Sequence, residues 1–143
     1  MLPPLDPPAM NTRTALTVIS VVYLAQAIGI FLGAGAIASG AFPGIAESEL
    51  ALSVGTLMHE ALAGIAFCTG MVMWFARNLE SGADHILRGF AIGSLGIIAV
   101  ACYHMATTHV EPPIPLLVVM LGLAVYAWLS ASRAEASPEA AVA

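Results

Sequence analysis

Four apolar runs, at residues 15–38, 50–76, 89–106 and about 114–129, dominate this chain. A helix needs about 20 mostly apolar residues, within a range of about 17 to 25, to cross the hydrocarbon core of a bilayer. The first two runs meet that length comfortably and the last two sit at its short end. The runs are continuous rather than alternating, which argues against strands, and in lipid only helices or closed barrels satisfy the backbone. With 59% hydrophobic and 9% charged residues, against roughly 25% charged in ordinary soluble domains, the composition implies the bilayer as solvent. The sequence thus predicts an all-α integral membrane protein with four transmembrane helices in one domain over residues 14–132. Residues 1–13, with the proline-rich "MLPPLDPPAM", and the tail 133–143 are expected to be disordered.

The basic residues assign a topology. Arg13 precedes the first run, Arg77 and Arg88 lie between the second and third, and Arg133 follows the fourth; there is no lysine. The connections at 39–49 and 107–113 carry no basic residue. The positive-inside rule therefore predicts cytoplasmic termini and a cytoplasmic middle loop. Trp74, Phe75, Tyr126 and Trp128 close the second and fourth spans at that interface, and Phe42 and Tyr103 fall near the other. "AIAS" at 36–39 resembles a signal-peptidase site, but the apolar run before it is about 22 residues against the 7 to 15 of a signal peptide, so it reads as a span. The absence of a basic patch argues against nucleic acid as a partner. The expected partners are the lipid bilayer and a second copy or another membrane protein.

Short connections require antiparallel neighbours and hence an up-down four-helix bundle. Pro112, Pro113 and Pro115 are expected to end the third helix and start the fourth. Asp84 is a candidate N-cap of the third helix, beside a solvated His85. Lipid supplies no hydrophobic drive between helices, so small residues must let them approach closely. Gln26, Gly29, Gly33, Ala36 and Gly40 form a helical stripe in the first span, and Gly89, Gly93 and Gly96 repeat the device in the third. Thr56, Glu60, Gly64 and Cys68 make an i, i+4 ladder in the second. These stripes, with Gly29, Gly33, Gly64, Gly89, Gly93 and Gly96 as packing residues, are expected to face protein rather than lipid.

Against that apolar background "TLMHEALAG" places His59 and Glu60 inside the second span. A charged side chain near the bilayer centre costs about 2.5 to 3.5 kcal/mol on insertion scales, and such residues usually face protein or a wet cavity. Glu60 lies roughly 15 Å along its helix, and His59 and His104 stand within roughly 3 Å of the same height. The second and third spans are therefore expected to present His59, Glu60 and His104 to one outward-side pocket. His59 and His104 could ligate haem iron or copper, with the carboxylate fixing a ring tautomer or completing the shell. Met58 and Met105, each next to a histidine, suit soft copper. The same groups could instead relay a proton or hold a ligand. Two features favour a structural role: adjacent helical residues diverge by about 100°, and "HEALA" lacks the second histidine of HExxH. Cys68 and Cys102 differ by about 10 Å in height, too far for a disulfide, and read as packing residues.

A chain with four short-looped, glycine-rich helices and a proline in the first outer loop, "GAFPGIAESEL", resembles the DoxX-like small bacterial membrane proteins over residues 14–132. That resemblance implies a bacterial inner membrane and permits redox chemistry with quinones or thiols. Two functional classes follow from the sequence: an accessory or structural membrane subunit, or a redox, metal, haem or small-ligand bundle built on His59, Glu60 and His104.

Overall fold

The computed structural model describes residues 12–41, 44–107 and 114–136. Four helices run in sequence, α1 (Thr12–Ala41), α2 (Glu49–Ala76), α3 (Ala83–Thr107) and α4 (Ile114–Ala136), with a short 3-10 turn at Ile45–Glu47 before α2. No strand occurs among the described residues. All four helices are long and apolar enough to cross a membrane. Each contains its apolar run and extends past at least one end of it, so Thr12, Arg13 and the start of the expected tail at 133–136 are helical rather than disordered. The remaining terminal residues, and Phe42, His109, Glu111, Pro112 and Pro113, lie outside the described residues.

Local chemistry sets the helix ends. Gly44 adopts the left-handed conformation at φ 86°, which a side chain would strain. Ser48 caps α2, its hydroxyl accepting the Ala51 N–H at 3.3 Å, and Glu49 follows in the first turn, where a negative charge complements the helix dipole. Arg77 N–H donates to the Met73 carbonyl at 3.2 Å and closes α2. Gly82, at φ 79°, turns the chain into α3. Asp84 is not the N-cap expected from the sequence: α3 starts at Ala83, two residues earlier than that cap would set, and Asp84 sits inside its first turn, 3.5 Å from His85 Nδ1.

The helices associate as two pairs. α1 packs along α2 and α3 packs on α4, with lighter contact from α1 to both α3 and α4, and α2 and α3 meet marginally at most. In the α1–α2 seam, the Ser20 hydroxyl donates to the Gly70 carbonyl at 2.8 Å in a buried position. A Cβ on Gly70 would lie 2.8 Å from Leu24 Cγ and 3.2 Å from the Leu24 backbone nitrogen, so only glycine admits this approach. At the other end of the seam, a Cβ on Gly55 would stand 3.2 Å from that of Ala38.

The common core lies at one end only. It combines Ala15, Leu16, Ile19 and Tyr23 of α1 with Met73, Leu87, Phe90, Ala127 and Ala131, near the helix ends that carry the arginines. Tyr23 and Phe90 meet edge to face at 5.4 Å. No residue of α3 after Ser94 is buried, whereas α1 stays buried against α2 as far as Ala38. The bundle is therefore closed at the arginine end and splayed into two helix pairs at the other.

Gly70→Ala should destabilise the protein by about 1 to 3 kcal/mol through overpacking, while Gly93→Ala, with open space around it, should be nearly neutral. Unfolding midpoints of the two variants in mixed detergent check this difference.

Candidate functional site

The splayed end decides where the polar residues go. His59 is half-buried on the side of α2 that carries Gly55, Ala63 and Ala66 against α1. Its Nδ1 lies 2.8 Å from the Gly55 carbonyl of its own helix, which makes Nδ1 the protonated, donating nitrogen. Glu60, about 100° further round, is exposed on the flank of α2. His104 is exposed on α3 and stacks edge to face with Tyr103 at 5.5 Å. The helices bearing His59 and His104 belong to different pairs. Among the described residues, no three His, Cys, Asp or Glu side chains assemble into a group able to hold a metal ion. The single His59, Glu60 and His104 pocket expected from the sequence is not formed.

Glu60 instead borders an open groove of about 360 Å³ between α1 and α2. Ala27, Ile28, Phe31, Ala63, Gly64 and Phe67 line it, so the carboxyl is its one ionisable group. Glu60 stands within roughly 4 Å of the midpoint of α2, at 1.5 Å per residue. It forms no hydrogen bond or ion pair with any described residue. A second groove of about 410 Å³, between α3 and α4, is lined by Ala91, Leu95 and Trp128 among other apolar residues and has no charged group. Phe31 and Phe67 escaped the sequence reading, although helical spacing from Glu60 to Gly64 to Phe67 places the second ring on the carboxylate's flank.

The glycine stripes are not packed within this chain. A Cβ added to Gly29, Gly64, Gly89, Gly93 or Gly96 would meet nothing within 4 Å, and at Gly33 it would meet only Ile37 of its own helix. These faces are not the ones through which the four helices touch one another. On α3 the glycines lie on the side opposite Leu87, Phe90 and Ser94, which point to the core. Cys68 and Cys102 are both exposed and free, not packed inside.

The arginine end is ordered by aromatic rings. The Arg77 guanidinium lies 3.3 Å from the centre of the Trp74 ring, and Arg88 lies 5.7 Å from that of Trp128. Such stacking retains the charge while shielding the apolar stem, as suits a membrane interface.

These features define a four-helix membrane protein with one pair-wise groove holding a membrane-depth carboxylate. No family model, curated protein or solved structure matches the chain.

A nitroxide attached at Glu60→Cys, with Cys68 and Cys102 replaced by Ser, should show several-fold higher collision with oxygen than one at His59→Cys in the same background. Power-saturation EPR in liposomes checks this; equal accessibility at the two positions would contradict the placement of Glu60 on the exposed flank.

Proposed function

We propose that the protein is a non-catalytic subunit of a membrane assembly, docking another transmembrane helix on the outward glycine face of α3. The observation that carries this reading is the open space above Gly89, Gly93 and Gly96. Glycines cost helix stability, and in lipid their return comes from close helix approach. That return is not collected inside this chain. The shallow burial of the spans, with at most 33% of any apolar window buried, supports the same reading.

Within this proposal the arginine end faces the cytoplasm, with both termini and the α2–α3 turn on that side. The distribution of Arg13, Arg77, Arg88 and Arg133 and the Arg–Trp stacks support this orientation. The layout resembling the DoxX-like proteins supports a bacterial inner membrane as the location. Haem or copper held jointly by His59 and His104 finds less support, because it requires α2 and α3 to close over the splayed end. A quinone function has only that family resemblance behind it.

Native electrophoresis of gently solubilised membranes should give a higher-mass species for the unaltered protein, and Gly93→Leu combined with Gly96→Leu should abolish it while leaving helicity unchanged. An assembly of unaltered mass in this variant would refute docking through α3.

A further inference from the structure

The groove at Glu60 poses a charge problem that this chain does not solve. Glu60 sits near the middle of α2, in a groove whose other walls are apolar. Carboxylates at such depth normally face a protein interior or a wet cavity, paired with another group. Here the side chain is exposed on the outer flank and has no partner among the described residues.

The sequence shows where a complementary charge cannot come from. There is no lysine, and all four arginines sit near one end of the helices. Arg77, on the same helix, is about 25 Å away along its axis at 1.5 Å per residue. A second copy in the same orientation repeats that distribution and brings no arginine to the depth of Glu60. An inverted copy places its arginines near the opposite surface and does no better. His59 is turned into the α1–α2 seam, with Nδ1 engaged by the Gly55 carbonyl. Neither this chain nor a second copy of it supplies the complement, which leaves the groove open to a cationic ligand.

The walls narrow that ligand's chemistry. Phe31 and Phe67 flank the groove, and aromatic faces attract a desolvated cation. A volume of about 360 Å³ falls at the lower end of small-molecule sites. The groove opens on a lipid-facing side, so an occupant has to be soluble in the bilayer. We propose that this groove binds a lipophilic organic cation, an ammonium or phosphonium centre inside an apolar or aromatic body, with Glu60 as counter-ion. The site involves α1 and α2, and its fate is separate from that of the docking face on α3.

The probe is tetraphenylphosphonium, measured by equilibrium dialysis against the full-length protein in nanodiscs. Saturable binding is expected, with Glu60→Gln weakening it at least about tenfold, as when one partner of a desolvated charge pair is removed. Glu60→Asp should retain part of the affinity, Phe67→Ala should lose several-fold, and Glu49→Gln, exposed at the start of α2, should bind as the unaltered protein does. Tetraphenylborate, of similar shape and opposite charge, dialysed in a separate experiment, should show no saturable binding that depends on Glu60. Absence of saturable binding, equal binding by folded Glu60→Gln, or Glu60-dependent binding of tetraphenylborate alone with equal affinity would overturn the proposal. A second copy seated in the groove would instead appear as a Glu60-dependent change in particle mass without saturable probe binding, which also overturns it.

Discussion

The close approach of α1 and α2 at Gly55 and Gly70 fixes the rest of the molecule. In lipid, helices gain nothing by hiding apolar surface from one another, so association depends on backbone proximity and a few hydrogen bonds. The seam supplies both, through the space that Gly70 leaves for Leu24 and the bond from Ser20 to the Gly70 carbonyl. Once that register is set, the 100° step between neighbours sends His59 into the seam and Glu60 to its flank. The question raised by an adjacent histidine and glutamate in an apolar helix thus has two separate answers. One side chain bonds its own backbone within a packed interface, and the other is offered to the outside.

The second organising feature is the one-sided core. Leu16, Tyr23, Met73, Leu87, Phe90 and Ala127 join all four helices near the arginines, and Arg77 and Arg88 finish that end by stacking on Trp74 and Trp128. Beyond Ser94 nothing on α3 is buried. The two pairs consequently present separate grooves, one purely apolar and one carrying a carboxylate.

The number of spans was legible because apolar runs of about 20 residues admit few other solutions in a bilayer, whereas the helix ends were not, α3 and α4 running on past their apolar runs. Short connections likewise implied antiparallel neighbours. Helix rotation was not legible. In a soluble bundle the buried face is marked by apolar residues, but a lipid-facing surface is equally apolar and erases that contrast. Small residues served as a substitute without fixing the rotation: Gly55 and Gly70 mark the interior seam, whereas Gly29, Gly64, Gly89, Gly93 and Gly96 leave faces that no other helix of this chain covers. Equal heights for His59 and His104 did not bring them together, because height carries no information about which helices pair. Asp84 lies two residues inside the cap position, which Gly82 occupies with positive φ.

Cysteine cross-linking in native membranes tests the pairing of helices most directly, in a background with Cys68 and Cys102 replaced by Ser. Gly35→Cys with Thr56→Cys spans the α1–α2 seam, where a Cβ on Gly35 stands 3.6 Å from the Thr56 hydroxyl, within reach of a disulfide. His59→Cys with His104→Cys spans the two pairs at the splayed end. The expected result is efficient oxidation of the first pair and none of the second. A disulfide between positions 59 and 104 would show that α2 and α3 close into a common pocket, contradicting the two-pair architecture and the outward placement of Glu60.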